Sequence, residues 1–496
     1  MSDNIACARR HGLGDLLRRS AARKPDKLAV ICGNEQYSFA ELDALCTRVA
    51  AGFSAYGIAP GDRVAILSHN SHAFAVVRFA IARLGGVLVP VNYMLKPAEI
   101  AYILKHSGAR LLCVDMICAE NGREAAAVAG NIEALVGLPG EDRGEPDVDL
   151  SFAQMTEAGS PGREFASPKP DALAQIIYTS GTESLPKGAM LNHDAIMWEY
   201  VTCLVDGEMH ADDVVLHAMP LFHCAQLDVC LGPALYIGSS SVITAQSDPD
   251  TLLRLLQAHG VTSFFAPPTV WIGLLRSPHF AATNLSMLRK AYYGASIMPV
   301  EVLLEMQRLL PAVRFFNLYG QTEIAPVATV LGPEDQVSRA GSAGRAALNV
   351  ETRIVDDEGN EVASGVVGEI VHRSPQLMAG YYNDEQRTAE AFRGGWFHSG
   401  DLATRDDDGY VTIVDRKKDM IKSGGENVAS REVEEVLYGL GGVKEVAVVG
   451  LPHPTWVEAV VAIVVGREGE ALTEAAVIAM PASIWRISRP PSGSCS

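Results

Sequence analysis

The sequence has little positive charge. Lys and Arg number 41 against 59 Asp and Glu, a net charge of −18. Proteins that grip nucleic acid neutralise phosphates with clustered basic side chains, and no such stripe is present. Paired cysteines are also lacking. The nine cysteines (Cys7, Cys32, Cys46, Cys113, Cys118, Cys203, Cys224, Cys230 and Cys495) are scattered, odd in number and without C-x-x-C spacing. That argues against a disulfide scaffold or a zinc site and for reduced thiols in the cytoplasm. No apolar run is clean enough for an integral membrane span. The nearest, Cys224 to Ile243, carries Asp228, Gly232, Pro233 and a Gly-Ser-Ser-Ser run, and reads as a buried helix, a turn and a strand. The arginines at 9, 10, 18, 19 and 23 surround Leu13, Leu16 and Leu17, but Asp3 and Asp15 interrupt them and no apolar segment follows. A surface helix opening the domain fits better than a targeting peptide.

What is present is ordinary globular composition. The 496 residues are 48% hydrophobic and 20% charged, enough for about three domain-sized units with a large core. Ser38 with Glu41 forms a capping-box signal, and Leu42, Leu45 and Val49 follow at helical spacing. Val64–Leu67, Val87–Val91 and Ala109–Val114 are short apolar runs suited to buried parallel strands, with a helical stretch over Ala73–Ala82 between the first two. Strand–helix–strand units of this kind predict a doubly wound α/β architecture. Glu141–Pro170 reads as a surface connection and Asp171–Val330 as a second α/β stretch. Glu351–Val371 alternates as strands do around an Asp356–Gly359 turn, and Asp406–Gly409 is a similar turn. Both acidic clusters are solvated turns rather than calcium loops, because EF-hand ligand spacing is absent.

The strongest single feature is the segment Ile176–Gly188, an apolar strand running into a loop with Thr179, Ser180, Gly181, Thr182 and Lys187. Backbone N–H groups and hydroxyls there can wrap phosphate oxygens. The spacing is not that of a Walker loop, and alone it reads equally well as a plain Ser/Thr/Gly turn. Three further segments follow in order: Asn317–Glu323 (Asn-Leu-Tyr-Gly-Gln-Thr-Glu), Gly395–Asp401 (Gly-Trp-Phe-His-Ser-Gly-Asp) and Asp415–Asn427, which holds Arg416, Lys418 and a Ser-Gly-Gly-Glu run. Taken together, the four segments resemble the adenylate-forming superfamily, in its acyl-CoA synthetase or fatty-acid–CoA ligase branch, over about residues 12–479.

The resemblance implies an α/β fold. A large N-terminal domain over 1–416 would hold two doubly wound sheets and a small β-barrel, and a smaller, truncated α+β C-terminal mobile domain would span 417–480. It implies an ATP- and Mg²⁺-dependent ligase that converts a carboxylic acid to an acyl-adenylate and then, with coenzyme A, to a thioester. Thr179, Ser180, Gly181, Thr182, Lys187 and Gly188 would hold the phosphates. Asn317, Tyr319, Gly320 and Gln321 would face the adenine, Thr322 the α-phosphate, and Asp401 with Arg416 the ribose. Glu323 would hold the metal. Lys187, His223, Thr322 and Glu323 would form the catalytic set. Leu221, His223, Gln226, Trp271, Tyr293, Gly294, Ala295 and Ser296 would face the acid. Lys418 would be the hinge, and Ser423, Gly424, Gly425 and Glu426 would border the CoA path. The acid-facing set carries no Asp or Arg to read a second charge, which favours a hydrophobic monocarboxylate. A medium- or long-chain fatty acid is the leading expectation and an aryl acid of the cinnamate or benzoate type the alternative. A homodimer is compatible with all of this.

Two features depart from the family pattern. Glu183 and Ser184 replace a hydroxyl residue and a glycine in the phosphate loop. The segment carrying the family's C-terminal catalytic lysine is replaced by an anomalous tail over 481–496, which leaves a catalytically impaired acyl- or AMP-binding homologue as a reading from a different class. Reading the third base of each codon with the first two of the next, from Ser483 onward, permits Asp-Leu-Ala-Asp-Phe-Lys-Thr-Pro-Lys-Arg-Val-Val-Phe, which resembles the expected continuation. A slipped frame near residue 479 is therefore expected in the coding DNA. A chain carrying the continued frame should release pyrophosphate from free acid and ATP much faster than this one, as an acid-dependent pyrophosphate assay on the two chains would read.

Overall fold

The computed structural model describes residues 5, 8–157, 165–179, 185–296, 298–423, 426–438, 440, 442–454, 456–466, 477 and 493–495. Two large sheets dominate. The first has eight strands in the order Gly380–Tyr381, Lys187–Asn192, Leu173–Thr179, Val87–Pro90, Arg63–Leu67, Leu111–Val114, Ala134–Gly137, Leu150–Ser151. Its pairings from Leu173–Thr179 to Leu150–Ser151 are parallel. Strands buried on both faces need continuous apolar runs, and Val87–Pro90 and Leu111–Val114 are buried throughout.

The second sheet has nine strands, ordered Arg345–Ala346, Val327–Leu331, Arg314–Gly320, Lys290–Gly294, Ser263–Phe265, Val214–His217, Ser240–Ile243, Leu28–Cys32, Glu35–Ser38. Its six central strands are parallel, with antiparallel strands at both edges. A third, antiparallel sheet of four strands (Glu351–Val355, Gly368–Arg373, Phe397–Arg405, Val411–Arg416) stands where the small barrel was expected. The acidic turn after Arg405 is held by Arg339, which pairs with Asp406 and Asp408. Beyond Arg416 the chain forms another sheet, dominated by the long hairpin Val443–His453 and Val457–Gly466. The helix Ser430–Tyr438 packs on that hairpin through Val433 and Leu437. Gly493–Cys495 runs parallel beside Val457–Gly466; residues 481–492 lie outside the described residues.

Local signals explain much of this. Ser38 Oγ accepts from Glu41 N–H while the Glu41 carboxylate accepts from Ser38 N–H, the reciprocal cap expected for the helix Phe39–Tyr56. The segment Cys224–Ile243 is helical from Cys224 to Ile237, with a π-helical turn at Leu227–Leu231, and ends in the strand Ser240–Ile243. No described helix is long and apolar enough to cross a membrane.

Every residue of the helix His72–Leu84 is buried, so its polar side chains need partners. Arg78 finds Asp228 in the π-helical turn (Nη2–Oδ1 3.4 Å), and the same carboxylate accepts from Gln175 (2.7 Å) and Tyr200 (3.3 Å). A second buried carboxylate, Glu199, accepts from Cys203 Sγ (3.1 Å), Val327 N (3.2 Å) and Gln376 Nε2 (2.6 Å). Among the described residues no cation is one of its hydrogen-bond donors, and burial pushes its pKa well above the usual carboxylate range. Its stability contribution is therefore complete below the unfolded pKa and is lost as pH rises through the folded one. Glu199→Gln removes the titration, so the variant should gain on the wild type between about pH 5 and about pH 8, as urea midpoints at the two values would show.

Candidate active site

The carboxyl ends of the parallel strands face one cavity of about 1010 Å³, the place where open α/β sheets present ligand sites. Leu173–Thr179 brings Thr179 to its wall, Lys290–Gly294 brings Tyr293, Gly294 and the following Ala295 and Ser296, and Arg314–Gly320 brings Asn317 through Glu323. The antiparallel sheet supplies Asp401 and Arg416, which are cross-strand partners. Lys187, His223 and Lys418 complete the set.

Asp401 is the hub at one end. Its Oδ2 accepts from Tyr319 Oη (2.7 Å) and Gln321 Nε2 (2.9 Å), and its Oδ1 lies 3.9 Å from Arg416 Nε. Burial, then the Asp401 charge, raises the Tyr319 phenol well above its ordinary range, so it stays a donor. Asn317 Nδ2 donates to the Ser342 carbonyl (3.0 Å), which orients the amide and leaves its oxygen as an acceptor. Gly320 is required for close approach, since a Cβ there would stand 1.7 Å from the Pro326 carbonyl oxygen.

At the other end Glu323 accepts from Tyr381 Oη (2.9 Å), and Lys187 Nζ stands 5.2 Å from the Tyr381 ring. Burial raises the Glu323 pKa, while a hydrogen bond from its own backbone N–H, the Tyr381 hydrogen bond and the Lys187 charge oppose the rise. A half-buried carboxylate at a cavity wall in this way is a natural place for a cation. Thr322 Oγ1 lies 3.3 Å from Cys224 Sγ. His223 caps the short helix after it, its Nδ1 accepting from Ala225 N–H (3.1 Å). An accepting Nδ1 leaves the proton of the neutral ring on Nε2. The ring is accessible from the cavity yet walled by protein, and burial lowers its pKa.

Several expected residues lie elsewhere. Leu221 and Trp271 are in the hydrophobic core. Trp271 donates to the Tyr292 carbonyl (3.1 Å) and packs on Phe264, because so large an apolar surface is stabilised most when fully removed from water. Gln226 is buried behind the wall, bonded to Met219 N and His217 Nδ1. Gly188 sits in the strand Lys187–Asn192, its carbonyl accepting from Tyr382 N, and Ser423 in the strand Ile421–Ser423 pairs with Glu426 and Val457; neither lines the cavity. Ser180, Gly181, Thr182, Gly424 and Gly425 lie outside the described residues, as does the side chain of Glu426.

Other residues went unnoticed in the sequence. Tyr381 reaches Glu323 from an edge strand 58 positions away, a distance that leaves no spacing signal. Asp415 is buried, and its Oδ2 accepts from both N–H (2.7 Å) and Oγ (2.9 Å) of Ser430, the first residue of the helix Ser430–Tyr438. That helix brings Arg431 and Glu434 to the cavity. Asp415 stands next to Arg416 in the quoted motif, but a carboxylate that caps a helix start fifteen residues on matches no local capping pattern.

Comparison with known proteins places this geometry. The AMP-binding enzyme family matches residues 17–382, and the AMP-binding enzyme C-terminal domain matches 432–486. A feruloyl-CoA synthase of Amycolatopsis is 36% identical over 470 residues, 94% of this chain and 90% of that protein. A long-chain-fatty-acid–CoA ligase of Mycobacterium tuberculosis is 33% identical, covering 92% and 89%. ATP-bound MatB from Rhodopseudomonas palustris superposes with a TM-score of 0.87 at 30% identity, covering 98% of this chain and 94% of that one. The chain belongs to the AMP-binding enzyme family, as an AMP-forming acid–thiol ligase of the acyl-CoA synthetase type.

Asp415→Ala should loosen the start of the helix Ser430–Tyr438 at a cost of about 1–2 kcal/mol. The expected result is faster tryptic cleavage at Lys417, Lys418 or Lys422, with the rest of the chain as resistant as before.

Proposed function

We propose that the chain joins an aryl monocarboxylic acid to coenzyme A through its adenylate. The observation that carries the reading is the shape of the apolar end of the cavity. Phe222, Phe265, Tyr293 and Met298 form walls there, and Val229, Leu318 and Val327 separate the cavity from a void of only about 10 Å³ behind them. That is at the margin for one water molecule, so an extended chain finds no continuation in that direction. Tyr293 is itself fixed, its hydroxyl donating to buried Gln336 (2.7 Å). Flat aromatic walls suit a ring, and the 36% identity to a feruloyl-CoA synthase agrees.

In this reading adenine lies against Tyr319, with its amino group donating to the Asn317 amide oxygen. Asp401 and Arg416 take the ribose hydroxyls, and Lys187 with Thr179 and the loop that follows takes the phosphates. The acid carboxylate attacks the α-phosphorus while the bond to pyrophosphate breaks. The CoA thiolate then attacks the acyl carbonyl and AMP leaves. Thr322 beside the α-phosphate and neutral His223 beside the carboxylate orient the reacting groups without adding charge. Glu323 would hold Mg²⁺, which when bound neutralises phosphate charge.

Non-reactive acyl-sulfamoyl adenosines test the acid without asking for turnover. A cinnamoyl analogue is expected to bind at least about tenfold more tightly than a dodecanoyl one, about 1.4 kcal/mol in calorimetry. Equal or tighter binding of the dodecanoyl analogue would return the assignment to fatty acids.

A further inference from the structure

A second constellation stands outside the cavity, in the eight-stranded sheet. The chain enters that sheet at its central strand Arg63–Leu67, crosses to Val87–Pro90 on one side, and returns to Leu111–Val114 on the other. The gap between Arg63–Leu67 and Leu111–Val114 is therefore a topological switch point, where loops leaving in opposite directions open a crevice at the strands' carboxyl ends. His69 follows the first of these strands, Asp115 follows the second, and Cys118 immediately precedes the helix Ala119–Ala129. None of the three lines the large cavity.

Their donor atoms converge. His69 Nδ1 lies 2.8 Å from Asp115 Oδ2 and 3.7 Å from Cys118 Sγ, and all three ligand atoms fall within 4.8 Å of one another. Tetrahedral zinc with ordinary bond lengths separates such nitrogen and oxygen ligands by about 3.3 Å, and nitrogen and sulfur by about 3.6 Å. The His69–Cys118 separation already meets that geometry, and the His69–Asp115 pair meets it with a small opening. The carboxylate is already positioned: Oδ1 accepts from Cys118 N–H (2.8 Å) and Oδ2 from His69 N–H (2.8 Å). The His69 ring is held by stacking on Tyr93, with centroids 4.1 Å apart. Asp115 and Cys118 are buried, while the His69 side chain keeps 22% of its exposure and leaves a way in.

We propose that His69, Asp115 and Cys118 form a binding site for a borderline divalent cation of the Zn²⁺ class, with one coordination position left for water. One nitrogen, one sulfur and one oxygen favour zinc over magnesium or calcium, which take oxygen ligands. Coordination replaces the His69–Asp115 contact with two metal bonds; the His69 ring proton leaves Nδ1 for solvent while Nε2 takes one up, and the Cys118 thiol gives its proton to solvent. The absence of C-x-x-C spacing does not exclude the site, because the fold, not the local sequence, brings its ligands together. Tyr93 packs edge-on against Phe222 of the cavity wall (5.1 Å), so the metal would anchor a ring that supports the acid end of the active site.

Titrating the full chain with Co²⁺ tests this. The expected result is a thiolate-to-cobalt charge-transfer band that saturates at one equivalent and disappears on adding Zn²⁺. Cys118→Ser should abolish the band, His69→Gln should weaken binding by more than about tenfold, and Cys230→Ser should change neither. A cobalt ion held by Glu323 alone would have oxygen ligands and no such band. No band in the wild type, an undiminished band in Cys118→Ser, or unchanged affinity in His69→Gln would each overturn the proposal. Circular dichroism of the variants confirms that they remain folded, and the wild-type titration decides even if Cys118→Ser does not fold.

Discussion

The site depends most on the pairing of Tyr319 with Asp401. It is a hydrogen bond by which the mixed nine-stranded sheet and the antiparallel four-stranded sheet meet at the cavity. Gln321 strengthens it from the same strand end, and Arg416 stands opposite on the neighbouring strand. A carboxylate that accepts two neutral donors while a guanidinium stands 3.9 Å away keeps a lone pair in reserve. Removing it would leave a half-buried phenol without its acceptor, which costs more than a lost surface contact.

The electrostatics of the two ends differ for one reason. At the Asp401 end, charges are matched by donors supplied within the protein. At the Glu323 end, a half-buried carboxylate has a backbone N–H, a tyrosine hydroxyl and a more distant lysine, and its raised pKa expresses what is lacking. The protein thus presents a neutral, donor-rich surface to one part of a ligand and an undercompensated negative charge to another. His223, whose cation is disfavoured by the surrounding protein, lines the same cavity.

Much of this was legible in order but not in space. The capping box at Ser38, the strands at Val64–Leu67, Val87–Pro90 and Leu111–Val114, and the helix–turn–strand reading of Cys224–Ile243 all follow from local patterns of apolar residues, glycine and capping groups. The four dispersed motifs brought Thr179, Lys187, Asn317, Tyr319, Gln321, Thr322, Glu323, Asp401 and Arg416 to one cavity. The acid-facing set was less legible, because proximity in sequence to a wall residue does not distinguish a side chain that lines a cavity from one that supports it. Leu221, Gln226 and Trp271 do the latter. Tyr381, Asp415 and the His69–Asp115–Cys118 triad were hidden for a related reason: each acts through tertiary contacts that leave no periodic trace in the chain.

The grip of Asp415 on Ser430 has a consequence for how the last sheet can turn. Asp415 belongs to the four-stranded sheet, whereas Ser430 opens the helix packed on the final hairpin. As long as that clasp holds, the hairpin and its helix are tethered both by the chain at Arg416, where Lys417 pairs with Asp357 and Glu369, and by the clasp, so that rotation is favoured about the line that joins them. Any wider swing must first release the clasp and expose a buried carboxylate to water, so the clasp sets a threshold between a small rocking motion and a full reorientation.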